Sequence, residues 1–210
     1  MTMEAHYVIN IGRQLGSGGR AIGEKLAESL GIAYYDKELI NIASQESGLC
    51  KEFFEKADEQ TSSSFSRAIG MRFPFLNVEA IPTNDLLSND MLFKIQSDVI
   101  QHLAKDHSCI FVGRCADYIL RDNPRCLNVF IHAPMEFRIA QVMKKQSLSE
   151  EKAITLIEKT DKKRASYYNY YTNKTWGMSS SYHLSLDSTV FGIEGSVDYI
   201  KQMVRQKLGV

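Results

Sequence analysis

The chain has 210 residues, and its 25 lysines and arginines are balanced by 25 aspartates and glutamates. This balance argues against a general nucleic-acid or membrane-surface binder but leaves room for a local basic pocket that takes a small molecule. No apolar run approaches the roughly 18 residues of a membrane span and no signal peptide opens the sequence, so we expect a cytoplasmic protein of one domain, residues 1–210.

A short apolar run near the N-terminus leads into a glycine-rich turn. Residues 7–11 suit a buried strand, and the spacing of Ile22, Leu26 and Leu30 predicts a helix over residues 21–30. Glycines allow the backbone to approach a ligand, and the N-terminus of a helix favours anions, so phosphate binding is favoured over an ordinary strand-to-helix turn. The candidate phosphate ligands are Gly12, Arg13, Gly16, Ser17, Gly18, Gly19 and Arg20.

Strand and helix patterns alternate through the rest of the chain. Apolar runs predict strands over 32–36, 108–112, 127–132 and 182–187. Apolar periodicity predicts helices over 37–48, 51–60, 85–105, 135–145 and 193–208, and a capping-box spacing starts another after Ser147. Five strands separated by helices predict a three-layer α/β/α domain with a five-stranded, mostly parallel sheet.

Two helical stretches look like insertions into this core. The core would comprise residues 1–36, 106–144 and 179–210, with an acceptor-side insertion at 37–105 and a lid-like insertion at 145–178. Within the first, residues 61–84 carry prolines and scattered aromatic residues without a period, which predicts an excursion over the site or a partner surface. Mobile covers of this kind suit phosphoryl transfer, which must exclude water.

Charged residues follow several predicted strands. Arg114 and Arg138 come after the third and fourth strands, and Arg164 lies in the lid-like insertion. Arginines around one point suit a transferring phosphoryl group, although a solvated surface ion pair is the alternative for each. Asp36 ends the second strand, where it would orient an acceptor, and Asp161 is spaced to position Arg164.

The tyrosine run at residues 167–171 has two interpretations. Its rings either stack on a nucleobase or pack the lid-like insertion onto the core.

A dinucleotide-binding protein is a second interpretation of the same turn. Gly16-x-Gly18-x-x-Ala21 matches the fingerprint G-x-G-x-x-A, and Asp36 stands where an acid would bind a ribose. Together these features would indicate an NAD(P)-dependent oxidoreductase. The long irregular segment at 61–84 argues against it, because it would interrupt the first half of such a domain.

Several motifs together resemble the cytidylate kinase-like family of P-loop nucleoside monophosphate kinases. Residues 11–20 with 34–40 are the most specific part, and Gly113-Arg114 is similar to the pair that contacts the acceptor's phosphate in cytidylate kinases. Asp161-x-x-Arg164 is similar to part of their lid motif, and residues 186–194 to their last strand and terminal helix. The resemblance implies a P-loop NTPase-like fold, ATP with magnesium, and a cytidine or related nucleotide as acceptor.

The phosphate loop departs from the standard pattern G-x-x-x-x-G-K-[ST]. Five residues separate Gly12 from Gly18, and Gly19 and Arg20 stand at the positions of the lysine and the hydroxyl residue. Arg20 is the candidate to replace the lysine's charge, and Ser17 is the candidate hydroxyl for magnesium. The sequence therefore predicts a kinase with Arg20, Arg114, Arg164 and Asp161 as catalytic residues, and a non-catalytic nucleotide-binding module as the alternative.

Overall fold

The computed structural model describes residues 6–36 and 89–210. In chain order the elements are β1 (Val8–Arg13), α1 (Gly19–Leu30), β2 (Ala33–Tyr35), α2 (Asn89–Asp106), β3 (Cys109–Val112), α3 (Ala116–Ile119), β4 (Cys126–His132), α4 (Met135–Gln146), α5 (Glu150–Thr172), a 3-10 turn (Ser179–Ser181), β5 (Leu184–Asp187) and α6 (Ser188–Leu208). The helices expected over 37–48 and 51–60 and the segment 61–84 lie outside the described residues.

The five strands form one parallel sheet in the order β2-β3-β1-β4-β5, which confirms the predicted fold class. β1 is central, and Val8 pairs with Cys109 on one side and Cys126 on the other. In a dinucleotide-binding sheet β1 lies beside β2, whereas here it lies beside β3. The oxidoreductase interpretation is therefore wrong, because the glycine fingerprint sits in a different sheet topology.

The main core lies between one face of the sheet and helices α1 and α6. Side chains alternate along a strand, so β1 turns Ile9 and Ile11 to this face. They pack with Ile22 and Leu26 of α1 and with the apolar stripe of α6. The members of that stripe are Val197, Ile200, Val204 and Leu208. Burial of these four residues follows from the helical period that the sequence shows.

The opposite face of the sheet carries an aromatic cluster. Phe130 of β4 meets Trp176 edge-on, with ring centroids 5.2 Å apart, and lies 4.9 Å from the ring of Tyr182. Gly12 lies beneath this cluster, where a Cβ atom would come within 2.7 Å of Phe130 Cδ2. Gly12 is thus a packing glycine inside β1 and not part of the loop that follows.

Helix α6 begins earlier than the predicted start at Ile193. The Asp187 side chain caps it by accepting a hydrogen bond of 2.9 Å from the Thr189 backbone N–H. The helix then passes through a kink at Gly192, where φ is 64° and ψ is −174°. Apolar periodicity alone locates only the part beyond this kink.

Internal contacts divide the chain into two units, Met1–Tyr35 with Ala104–Val210, and Asp36–Leu103. The first holds the sheet and the helices packed on it. In the second, the described residues are Asp36 and most of α2, in which Val99, Ile100 and Leu103 are buried. Among the helices described, none is long and apolar enough to cross a membrane.

We expect Ile200→Ala to lower the free energy of unfolding by about 2–5 kcal/mol, because Ile200 is 0% exposed in the main core and truncation leaves a cavity. Val190→Ala is the matched control, since Val190 lies on the same helix but is 70% exposed, and it should change stability by less than about 0.5 kcal/mol. Urea denaturation measures both. Equal losses in the two variants would contradict the placement of α6 against the sheet.

Candidate functional site

The turn between β1 and α1 comprises residues 14–18. Gly16 and Gly18 have φ of 81° and 75°, the left-handed region that glycine adopts without strain. Gly16 also lies against the start of α4, where a Cβ atom would be 2.7 Å from the carbonyl oxygen of Arg138. A side chain at either position would therefore deform the loop.

The structure corrects the length of this loop. β1 continues through Arg13, and residues 14–17 separate Arg13 from Gly18. That spacing is the one in the standard phosphate-loop pattern, with Arg13 in the place of its first glycine. Gly12 lies one residue further from Gly18 and packs inside the sheet against Phe130, so Arg13 is the better match to the first position of the pattern.

The N-terminus of α1 presents backbone N–H groups without a cap. Gly18 occupies the N-cap position and offers no side chain to accept them. Within the described part of the chain, the N–H groups of Gly16, Gly18 and Gly19 have no hydrogen-bond partner. Unpartnered N–H groups of this kind, together with the helix dipole, favour an anion at this end of α1.

The Arg13 side chain runs between two glycines. A Cβ atom at Gly19 would lie 2.6 Å from Arg13 Cβ, and Nη1 of Arg13 occupies the space that a Cβ at Gly113 would need. Gly19 stands where the standard pattern has its lysine. The arginine at the end of β1 therefore passes the lysine position and carries its guanidinium to the carboxyl end of β3.

Asp161 of α5 joins the loop to two arginines. Its Oδ1 accepts the Leu15 backbone N–H at 2.9 Å, and its Oδ2 accepts Nη1 of Arg138 at 2.6 Å. Nη1 of Arg164 lies 3.6 Å from the same carboxylate and donates to the Arg13 carbonyl oxygen at 3.0 Å. The Asp161 and Arg138 side chains are only 14% and 10% exposed, so this pair is weakly screened by solvent.

One group of Arg138 has no partner. Its Nη2 contacts the Met135 sulfur at 3.3 Å, while the buried Nε–H lacks an acceptor among the described residues. Buried polar groups are almost always hydrogen-bonded, so an N–H without an acceptor, in a residue that contacts Gly16 of the loop, is compatible with an anionic ligand there.

The side chains of Arg20 and Ser17 do not point into the anion site that the sequence predicts for them. The Arg20 side chain is 53% exposed and pairs with Glu24 at 2.8 Å on the surface of α1. Ser17 is fully buried, and its hydroxyl donates to the Gln14 carbonyl oxygen at 3.0 Å. Its own carbonyl accepts the Ser188 hydroxyl at 2.7 Å, a contact from α6 that the sequence does not reveal.

The acceptor-side candidates lie at the ends of β3 and β2. Gly113, Arg114 and Cys115 have consecutive φ values of 81°, 59° and 57°. The left-handed conformation costs a non-glycine residue about 1–2 kcal/mol, so this turn is strained where it presents Arg114. Arg114 is half-buried and makes no hydrogen bond or ion pair with the residues that the structure describes. Asp36 directly follows β2 and is buried.

Two buried groups beside Arg114 escaped the sequence patterns. Asp117 of α3 accepts the Tyr168 hydroxyl of α5 at 2.7 Å, and burial raises the pKa of its carboxyl above 3.8 more than this bond lowers it. Burial also raises the pKa of the Cys115 thiol to about 12, so that thiol is no nucleophile at neutral pH. Neither residue stands in a motif or a recognisable period.

A parallel sheet in this order, with a glycine-rich loop and an uncapped helix after its central strand, defines a kinase-like P-loop fold. The chain belongs to the cytidylate kinase-like family, whose profile matches residues 8–190. No curated protein sequence matches it.

Solved structures agree with this fold. An uncharacterized protein from Eubacterium ventriosum has a TM-score of 0.68 and 25% identity, over 95% of this chain and 98% of its own. Shikimate kinase from Bacteroides thetaiotaomicron has a TM-score of 0.55 and 12% identity, over 95% and 98%. A gluconokinase from Sinorhizobium meliloti has a TM-score of 0.51 and 12% identity, over 97% and 95%. At such low identity, the two kinases show the fold alone.

Asp161→Ala should lower the free energy of unfolding by about 3 kcal/mol, because it leaves the buried Arg138 guanidinium and the Leu15 N–H without their acceptor. Glu24→Ala removes the exposed partner of Arg20 and is the matched control, with an expected loss below about 1 kcal/mol. Urea denaturation compares the two, and equal small losses would mean that Asp161 does not hold the loop.

Asp117 should make stability depend on pH. Because its folded-state pKa is raised, the folded protein keeps a proton that the unfolded chain loses, so the free energy of unfolding falls as the pH rises above 3.8. Asp117→Asn should remove that part of the fall, as measured by urea denaturation over a pH series.

Asp187 should affect the same pH series in the opposite direction to Asp117. Hydrogen bonds from Thr189 lower the pKa of its carboxyl, so its contribution to stability is present above 3.8 and is lost as the pH falls. Superimposable pH curves for wild type and Asp117→Asn would refute the role of Asp117.

Proposed function

We propose that this protein is an ATP-dependent phosphotransferase whose acceptor is a nucleoside monophosphate of the cytidylate type or another small anionic molecule. The observation that carries the proposal is the convergence of unpartnered N–H groups at the start of α1 with the arginines around Asp161. Such a site binds the dispersed negative charge of a transferring phosphoryl group. We expect it to bind small molecules and neither nucleic acid nor membranes. We expect it to act in the cytoplasm.

The geometry of the loop supports a donor that carries phosphates. The N–H groups of Gly16, Gly18 and Gly19 would bind phosphate oxygens, as backbone groups do at other helix N-termini. The orphaned Nε–H of Arg138 would gain its missing acceptor from the same ligand. Arg164 of α5, three residues after Asp161, would add a further positive charge next to the phosphates.

Arg13 is our candidate for the charge that the missing lysine would supply. Its side chain passes directly beside Gly19, the lysine position. Because Arg13 fills the space next to Gly19 and Gly113, neither position has room for a larger residue. Arg20 is the sequence-based candidate for the same role, but its guanidinium pairs with Glu24 on the surface. Relative to the standard pattern, Gly19 stands in place of the lysine and Arg13 stands in place of the first glycine, so we expect Arg13 to supply the positive charge.

Magnesium would be held mainly by the phosphates and water. Ser17, the candidate hydroxyl, is buried and donates inward to Gln14, which makes it a poor ligand in this conformation. Among the described residues no cluster of three or more His, Cys, Asp or Glu side chains suits a metal ion. Magnesium commonly keeps several waters and binds through substrate phosphates, and when bound it would neutralise their charge.

Exposed apolar side chains support a nucleotide donor over a simple phosphoanhydride. Val190, Phe191 and Ile193 are 70%, 48% and 38% exposed at the start of α6. Ile193 Cγ1 lies 3.8 Å from the Cβ position of Gly18, so this patch adjoins the anion site. An apolar surface next to a phosphate site suits the ring of a nucleobase.

Arg114 and Asp36 are the residues we assign to the acceptor. Arg114, without a partner in the described residues and at the end of the strand beside β1, would bind an anionic group such as a monophosphate. Asp36 would accept a hydrogen bond from an acceptor hydroxyl or amino group, since a carboxylate is an acceptor only.

A non-catalytic nucleotide-binding module is the second candidate function, because Gly19 and Arg20 replace the lysine and hydroxyl of the standard loop. Coupled ADP-release assays with ATP, magnesium and a panel of nucleoside monophosphates and small hydroxylated metabolites separate the two. Calorimetric ATP binding without turnover on any acceptor would favour the module.

The charge assignment predicts that Arg13→Ala lowers turnover, or ATP affinity if there is no turnover, by at least about tenfold, because single arginines on a phosphoryl group contribute more than that. Arg13→Lys should retain part of the activity. Arg20→Ala is the comparison variant, and a loss as large as that of Arg13→Ala would return the role to Arg20. Unchanged binding and turnover in Arg13→Ala would exclude our assignment.

A further inference from the structure

One face of α5 contacts both halves of the proposed site. Asp161, Arg164 and Tyr168 follow one another at spacings of three and four residues, so their side chains project from the same side of the helix. The first two reach the glycine loop through the Leu15 N–H and the Arg13 carbonyl oxygen. The third reaches Asp117, three residues after Arg114.

The contact between Tyr168 and Asp117 is a buried one. Tyr168 is 5% exposed and Asp117 is 7% exposed, and the hydroxyl donates to Oδ2 at 2.7 Å. The Tyr168 ring stacks on that of Tyr182, with centroids 6.1 Å apart, which fixes its direction. Its backbone carbonyl accepts the Thr172 hydroxyl at 2.7 Å one turn further along.

The strained turn at residues 113–115 needs such a support. Arg114 and Cys115 hold left-handed backbone conformations that few non-glycine residues adopt, and conformations of this kind persist only where surrounding contacts impose them. The turn leads directly into α3, where the backbone N–H groups of Tyr118 and Ile119 both bond to the Cys115 carbonyl oxygen at 2.9 Å. Asp117 is the residue of this short helix whose side chain is held from α5.

We propose that Tyr168 and Asp117 are positioning residues, which lock the turn that presents Arg114 to the helix that contacts the glycine loop. Helix α5 thereby sets the geometry of the acceptor-side arginine Arg114 and of the glycine loop together. The part of this inference that concerns Arg114 and an acceptor anion rests on the proposed function. The mechanical link between α5 and residues 113–119 does not.

Hydrogen–deuterium exchange tests the mechanical link directly. Tyr168→Phe removes one hydroxyl, and we expect backbone exchange in peptides covering residues 113–119 to become about five- to tenfold faster, as for the loss of one buried hydrogen bond. Tyr170→Phe is the matched control, because Tyr170 lies on the same helix but is 68% exposed. Exchange at 113–119 that is equal in the two variants overturns the proposal.

A second pair of variants keeps the test decisive if Tyr168→Phe folds poorly. Asp117→Asn retains an oxygen that accepts the Tyr168 hydroxyl and should keep exchange at 113–119 near that of the wild type. Asp117→Leu removes the acceptor and should accelerate it. The same exchange rate in both variants would also overturn the proposal.

Binding separates a positioning role from a general loss of stability. With Tyr168→Phe we expect the Kd of the best-binding nucleoside monophosphate to rise about tenfold, while the Kd of ATP changes less than about twofold. An equal rise in both dissociation constants, or no rise in either, overturns the proposal that Tyr168 positions Arg114. If the wild type binds no monophosphate at all, the proposed acceptor fails, while faster exchange at 113–119 still supports the link.

Discussion

The network around the Asp161 carboxylate is the interaction on which the site depends. A single side chain accepts the Leu15 N–H of the glycine loop and the Arg138 guanidinium, with Arg164 alongside. Burying an arginine without its acceptor would be costly, so the loop, the start of α4 and the middle of α5 must adopt compatible positions. The uncapped N–H groups of α1 remain outside this network and have no partner among the described residues.

The same carboxylate explains how a variant phosphate loop keeps its shape. Arg13 stands in the place of the first glycine of the pattern and Gly19 in the place of the lysine, and the Arg13 side chain fills the space beside Gly19. The Arg13 carbonyl is in turn bonded to Arg164, which Asp161 flanks. The arginine at the end of β1 thus lies beside the lysine position, and the spacing from Arg13 to Gly18 is that of the standard pattern.

The position of the site follows from the sheet order. β1 lies between β3 and β4, so the connections after β1 and β4 diverge at its carboxyl end, where ligands of open parallel sheets bind. Arg13, Arg114 and the start of α4 all lie at this edge. Helix α5 reaches the same edge, and through Tyr168 it also reaches the turn after β3.

The sequence by itself determined the five strands and the glycine turn, because apolar periodicity and glycine spacing are local properties of the chain. The family followed from the resemblance of several short motifs. It also identified Arg114, Arg138, Asp161 and Arg164 as candidates from their places after strands and in a lid motif. Only the tertiary structure decided that Gly12 belongs to the strand, that Arg13 passes beside Gly19, and that Asp117 pairs with Tyr168. These facts depend on contacts between residues far apart in the chain, and no local pattern records which side chains will share one buried space.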